Sequence, residues 1–486
     1  MPRALFFMHN YNDFDHMTPV IDSLMMTGRW QCAVVFYPSA TLSSVSFEDD
    51  WRLEYLRQTH GVTAHHIDDV APASRKNFRL FKIRNFLTRL CDATSPIGHL
   101  FGRDVRGLLP WFLASRSWDH FLAFWLRRVS GVGTQLFERF NPDIVAVDWG
   151  KTHNIITPVL ERAAQTATPV IELPHGAWTY EGVFSHASQF DPEKLQKRTR
   201  LPVTRSSAVV LDNLYKGYRS ELQGIERKRM RFLGLARFTP DWLERLATLP
   251  RGTARLGSNG RPKLVWFPTW LMACDVDAID ATLDLLERYA DRIDIVLKVH
   301  TRNPAHEAAD YGRRLKPGSR IRLVANEEES FAVTRWADIV LITQSSIVYD
   351  AFLLGKPVLY LKYTHDFTCM WETDGVGETV ENTGALEALL EKIVDGTYRP
   401  TYDNAMIDRY LRLGVTGGQA PDAVLDSYVA LFDQAAAGEP LCAGFDLETV
   451  EKIWQQQDRK IVQYSASNAN ADTPCATQTQ DGVDHG

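Results

Sequence analysis

Five short apolar runs in this chain lead into residues that can do chemistry. Asp148 lies just past IVAV, His175 past VIEL, Thr269 past LVWF and His300 past VLKV. Gln344, Ser345 and Ser346 lie past IVLI. If the runs are strands of parallel sheets, their carboxyl ends lie along one edge and the polar groups can converge on a crevice. Sheet stability asks for no imidazole there. A histidine titrates near neutrality and can take a proton from an attacking hydroxyl. His175, in Pro-His-Gly, and His300 are the candidate catalytic pair. Lys298 stands two residues before His300 and shares its strand face. Arg237 follows Gly234 in GLAR. Cationic groups of this kind offset charge on a leaving phosphate. Thr269, Gln344, Ser345 and Ser346 add donors. Asp350, four residues after Ser346, is on the same side of a helix and can hold ribose hydroxyls. Taken singly, each residue also has a plain structural explanation.

The elements that must position these groups are clearest in residues 337–361, ADIVLITQSSIVYDAFLLGKPVLYL. The pattern predicts a strand buried on both faces, then a polar turn with a serine placed to cap a helix. Ile347, Ala351 and Leu354 give that helix its apolar spacing, Gly355 ends it, and a second strand follows. The same rhythm recurs along most of the 486 residues. Strands alternating with helices imply parallel sheets. With a break near 180–205, the chain reads as two Rossmann-like domains facing each other across a cleft. Residues 1–180 would form an acceptor domain and 200–440 a nucleotide-donor domain. Residues 465–486 are poor in apolar side chains and read as a disordered tail. In the first domain, His9-Asn10-Tyr11-Asn12 follow the first strand, and His16 and Pro19 lie in a pattern (DHMTPVIDSL) that opens a helix, read either as a substrate-facing loop or as a plain helix start.

Residues 75–139 have a different character. They carry twelve Lys and Arg against four acids, interleaved with Trp, Phe and Leu. Basic aromatic helices can lie on an anionic membrane surface, or pack their aromatics inward as a helical insertion. The net charge of −6 shows no bias toward nucleic acid. Six scattered cysteines without CxxC spacing fit a reducing compartment. The N-terminal apolar run is too short for a signal peptide, and no run is long enough to span a bilayer. A cytoplasmic location is expected, peripheral at the inner membrane face if 75–139 binds there. No metal and no cofactor is expected.

The ordered set PHG (174–176), GLAR (234–237), FPTW (267–270), KVH (298–300) and ADIVLITQSSIVYDAFLLGKPV (337–358) resembles the CDP-glycerol glycerophosphotransferase family, the teichoic-acid polymerase and primase group with a GT-B fold. The resemblance covers roughly residues 140–430. It implies that His175 is the catalytic base and that His300 contacts the donor phosphates. It further implies that Thr269, Ser345 and Ser346 line the donor site, and that residues 373–384 form a loop closing on the donor. Thr343 stands where the family carries an aspartate, and Ala236 where it carries a proline. The implied activity moves glycerol phosphate from CDP-glycerol to a hydroxyl, with a lipid-linked or saccharide acceptor. Two other enzyme readings share the layout. One is a GT-B glycosyltransferase using a nucleotide sugar, of capsule or lipopolysaccharide type. The other is an isomerase like the UDP-N-acetylglucosamine 2-epimerases, which usually carry a Ser/Asp-Ser-Gly-Gly turn where this chain has Gln344-Ser345-Ser346. A sugar-nucleotide binder without catalysis is the non-enzymatic alternative.

Overall fold

The computed structural model describes residues 1–37, 50–72, 131–149, 156–183, 206–257, 259–269, 271, 274–299, 304–325 and 327–457. Two parallel sheets organise them. The first has seven strands: β1 (Arg3–Met8), β2 (Gln31–Phe36), β3 (Thr63–His66), β4 (Ile144–Asp148), β5 (Val170–Leu173), β6 (Ala208–Leu211) and β7 (Met230–Phe232). Their spatial order is β3-β2-β1-β4-β5-β6-β7. The second sheet has six: β8 (Lys263–Phe267), β9 (Asp294–Lys298), β10 (Arg322–Val324), β11 (Ile339–Ile342), β12 (Val358–Leu361) and β13 (Glu378–Val380), in the order β10-β9-β8-β11-β12-β13. The expected pair of Rossmann-like units is therefore what the chain forms. Each sheet reverses its strand order once, between β1 and β4 in the first and between β8 and β11 in the second. Such switch points open a crevice at the carboxyl ends of the strands.

The sheets form where the sequence offers short runs buried on both faces. β4, β5, β6, β11 and β12 have every residue buried. Helices then cover the sheets. On the first, α1 (Tyr11–Met26) and α2 (Trp51–His60) flank β1 to β3, while α3 (Val132–Phe140) and α4 (Ile156–Gln165) cover the other face. Asn10 caps α1 by accepting the N–H of Asp13 at 3.1 Å. Helix α5 (Leu214–Leu222) connects β6 to β7, and α6 (Pro240–Thr248) lies in the chain between β7 and β8. In the second half α7 (Val276–Tyr289) packs on one face, and α8 (Ile347–Leu353) follows β11. The C-terminal α9 (Ala423–Ala437) returns to the first sheet, where Phe432 stacks on Phe6 at 5.7 Å and meets Trp30 edge-on.

The first sheet extends to Phe232. The short strands β6 and β7 pair with β5 and with each other, not with the second sheet. By sheet membership, residues up to Phe232 go with the first sheet. One apolar cluster then bridges the halves, joining Leu211 and Phe232 to Val265, Val340 and Tyr349. The last residues of the basic aromatic stretch, in α3, bury Val132, Leu136 and Phe137 against α4. Residues 73–130 lie outside the described residues, as do His300 and the tail 465–486. No helix among the described residues is long and apolar enough to cross a membrane. Cys32, Cys274, Cys369 and Cys442 are free thiols.

Candidate functional site

The two switch points face one cleft of about 630 Å³. That is large enough for a ligand of nucleotide-sugar size. One wall is built from the carboxyl ends of β4 and β5 and the start of α1. The other comes from the ends of β8 and β9 and the turn before α8.

On the first wall, His175 leaves β5 in Pro-His-Gly. Gly176 has φ +138°, a conformation that side-chain-bearing residues rarely adopt, and this turns the chain just after the imidazole. The ring lines the cleft with its Nδ1 2.8 Å from Asp148 Oδ2, at the end of β4. The same Nδ1 is 3.6 Å from Asp13 Oδ1, in the first turn of α1. Asp13 is wholly buried and takes His9 Nδ1 at 2.5 Å and the His9 N–H at 2.7 Å. Burial opposes its charge, but the neighbouring His9 and then His175 prevail, so Asp13 is held well below the usual carboxylate range. His16, one turn along α1, also lines the cleft. Burial, then the Arg237 charge, push it down to about 3, so it is a neutral ring at physiological pH.

The loop carrying His175 is buckled from below. Lys216 of α5 donates to the Gly176 carbonyl and pairs with Asp212 at 2.8 Å. Asp212 also accepts the Trp178 N–H at 3.1 Å. Beyond Trp178 the loop crosses to the second half. The Thr179 carbonyl accepts the Met370 N–H at 2.9 Å, and the Thr179 hydroxyl accepts from Gln344 Nε2 at 2.8 Å.

On the second wall stand Thr269, Lys298, Gln344, Ser345 and Ser346. Lys298 is 1 % exposed and makes no ion pair with a carboxylate among the described residues. Its ammonium donates to the Val299 carbonyl at 3.3 Å. Burial pulls its pKa down to about 8, against the upward pull of Glu329, Glu327 and Glu328. The expected cap is absent: Ser346 makes no capping hydrogen bond, and Ser345 Oγ accepts the Ile347 N–H only at 3.4 Å. Thr343 is fully buried and its hydroxyl accepts from the Trp266 indole at 3.3 Å, so this position belongs to the sheet interior.

Two expected site residues serve elsewhere. Asp350 does not line the cleft. It is fully buried, its Oδ2 accepts from Arg237 Nη2 at 2.9 Å, and burial raises it to about 6 despite that neighbour. It is not placed to meet a ribose. Arg237 reaches the cleft but is committed to Asp350 and, at 3.7 Å, to Asp15. Asp15 in turn meets Arg52 at 2.6 Å, and Arg52 meets Asp50 at 2.7 Å. This chain of alternating charges ties α8 to α1 and α2 across the seam. Gly234 lets the backbone pass here: its φ is +82°, and a Cβ would stand 2.5 Å from Thr416 Cα. Residues 373–384 do not line the cleft either; they contain the edge strand β13. Sequence reasoning did not single out His9, Asp13 or Lys216 for chemistry. The signal for the first pair was present, since His9 and Asp13 are four apart at a strand-to-helix turn.

His9, Asp13 and Asp148 bring potential metal ligands within 4.8 Å of one another. The 2.5 Å between His9 Nδ1 and Asp13 Oδ2 is a hydrogen-bond distance. Two ligands of a tetrahedral cation, each about 2.0–2.2 Å from it, stand more than about 3 Å apart. The arrangement fits a proton-sharing cluster better than a cation site.

No family model matches the chain, and no curated protein matches it in sequence. Its fold is similar to several solved structures. The UDP co-structure of MnaA from S. aureus superposes with TM-score 0.52 and 12% identity over 92% of this chain and 100% of that one. A putative UDP-N-acetylglucosamine 2-epimerase from Listeria monocytogenes gives TM-score 0.51 and 10% identity, over 92% and 99% of the two chains. The UDP-GlcNAc 2-epimerase from Neisseria meningitidis bound to UDP-GlcNAc gives 0.50 and 13%, over 90% and 100%. At such identities the likeness is one of fold. It corrects the resemblance to the CDP-glycerol glycerophosphotransferases, and with it the teichoic-acid assignment, because the solved structures found to share this layout include UDP-GlcNAc 2-epimerases and not glycerophosphotransferases. Motifs at strand ends of a common architecture had suggested the wrong family.

Proposed function

We propose that this chain is an enzyme acting on a nucleotide sugar, with His175 as its general base. The observation that carries this is the His175–Asp148 pair facing Lys298, Thr269, Ser345 and Ser346 across one cleft. Asp148 Oδ2 stands 2.8 Å from Nδ1 and favours positive charge on the ring, and Nε2 is the nitrogen assigned to take up a proton. On the opposite wall a buried ammonium and three hydroxyls suit a diphosphate.

In a transfer reaction the acceptor O–H gives its proton to His175 Nε2 as its oxygen bonds to the anomeric carbon. The bond from that carbon to the diphosphate oxygen breaks, and the electron pair leaves on the nucleotide. Lys298 and the hydroxyls of Thr269, Ser345 and Ser346 offset the new charge. Asp148 and Asp13 stabilise the imidazolium. Transfer is the first reading because the cleft presents, besides the neutral His16, an imidazole beside buried carboxylates, an arrangement suited to activating a hydroxyl. Epimerisation at C2 is the second, favoured by the shared fold with the 2-epimerases.

UDP-N-acetylglucosamine incubated with the protein in D2O separates them by NMR. A C2-deuterated epimer shows isomerase activity; UDP release that depends on an added saccharide acceptor shows transfer. A thermal-shift screen of UDP-, CDP-, GDP- and dTDP-sugars that finds no stabilisation by any would sink the proposal.

A further inference from the structure

Asn10, His9 and Asp13 make a connected set whose hydrogen-bond directions can be assigned in order. The Asn10 Oδ1 accepts the Asp13 N–H at 3.1 Å as the cap of α1. This fixes the orientation of its amide, so Nδ2 is the atom 3.1 Å from His9 Nε2. An amide nitrogen only donates, so His9 Nε2 accepts and carries no proton. The ring proton is then on Nδ1, donated to Asp13 Oδ2 at 2.5 Å, where the His9 N–H also donates. In this arrangement the His9 ring donates from Nδ1 and accepts at Nε2, and Asp13 meets His175 as a carboxylate. The remaining oxygen, Asp13 Oδ1, has no hydrogen-bond partner and faces His175 Nδ1 at 3.6 Å.

We propose that Asn10, His9 and Asp13 form a positioning relay that keeps an anion against His175 and so sets how strongly that imidazole holds a proton. The idea rests on His175 being the base proposed above. None of the three need touch substrate. The groups facing this cluster are Asp148 from β4, His175 from the loop after β5, and Tyr37, whose ring stacks on His9 at 5.4 Å. His9 and His175 themselves lie nearly parallel at 6.5 Å. Burial, with Asp13 and Asp148 adding to it, keeps Tyr37 protonated. Lys216 and His16 stand further off along the same wall.

The test is an NMR titration of the His175 ring in the full chain, which needs no knowledge of the substrate. Asp13→Asn removes the anion, and His175 should titrate roughly one pH unit lower than in the unaltered protein. Asn10→Asp keeps the helix cap, since Asp caps as well as Asn. It places acceptors on both sides of His9, so His9 should become an imidazolium; the added carboxylate, on the other ring nitrogen from Asp13, offsets part of that charge, and His175 should move down by a smaller amount. This variant carries the test if Asp13→Asn does not fold. The unaltered protein should show His9 as the neutral Nδ1–H tautomer. An unmoved His175 titration in a folded variant, or a charged His9 in the unaltered protein, overturns the relay. His175→Ala decides the underlying reading separately. If it retains turnover, the base assignment fails, whatever the titrations show. If it loses turnover while the titrations stay put, only the relay fails.

Discussion

The two walls of the cleft handle charge in opposite ways. The first sheet brings two buried carboxylates, Asp13 and Asp148, against two imidazoles. The second brings hydroxyls and one buried lysine, with Glu328 and Glu329 also lining the cleft but beyond ion-pair distance of that lysine among the described residues. Buried charges are normally paired, and the first wall obeys that rule within itself. On the second, Glu329, Glu327 and Glu328 act on Lys298 from beyond ion-pair distance. In the proposed reading, proton handling belongs to the first wall and anion accommodation to the second.

The sharpest challenge to this division is His175→Ala. Turnover should fall by about 10²–10⁴-fold with nucleotide-sugar binding retained, since general-base catalysis is worth that much. Steady-state kinetics with calorimetric binding checks it, and a variant that loses binding instead would place the imidazole on the wrong side of the division. Next is the seam. Asp350→Ala strands the Arg237 guanidinium, buried to 12% side-chain exposure. Removing one partner of a buried pair costs about 3–5 kcal/mol, so chemical denaturation should show a large loss of stability.

Lys298→Met should weaken binding of UDP by roughly tenfold or more, because hydrogen bonds to charged groups are worth about 1.5–3 kcal/mol. The same residue predicts a pH dependence. Its pKa is lowered from 10.5 to about 8 by burial, so it is cationic below that pH. UDP affinity should fall as pH rises through about 8. Stability without ligand should move the other way. Between about 8 and 10.5 the unfolded chain binds the proton that the folded one releases, so this group's contribution to stability rises with pH there. Thermal melts with and without UDP would show both slopes, and parallel slopes would contradict the assignment. The smallest effect is expected from Ser345→Ala with Ser346→Ala. Binding should drop by about 1 kcal/mol per hydroxyl, with the melting temperature nearly unchanged because neither serine caps α8.

Much of the second wall was legible in the sequence, because its residues sit immediately after strands whose apolar runs announce them. Thr269, Lys298, Ser345 and Ser346 all reach the cleft. His175 and Asp148 were legible for the same reason, although their contact was not. Asp350 shows the limit of that reasoning. Its spacing from Ser346 fits the helix, yet it is packed against Arg237, a residue 113 positions earlier. Long-range pairing of that kind leaves no mark in a local pattern. The same holds for β6 and β7, whose short apolar runs carry no mark of the sheet they join. Asp13 was hidden for another reason: a carboxylate near a helix start looks like an ordinary helix-dipole partner until its burial is known.

Helix α9 adds a demand on how the protein is made. It fills the face of the first sheet around Phe6, Phe14 and Trp30, yet it is translated about 200 residues after that sheet is complete. At roughly 5–20 residues per second, that apolar face stays uncovered on the ribosome for about 10–40 s. The nascent chain therefore exposes an aggregation-prone surface for much of its synthesis. A chain that stops short of residue 423 would never cover it.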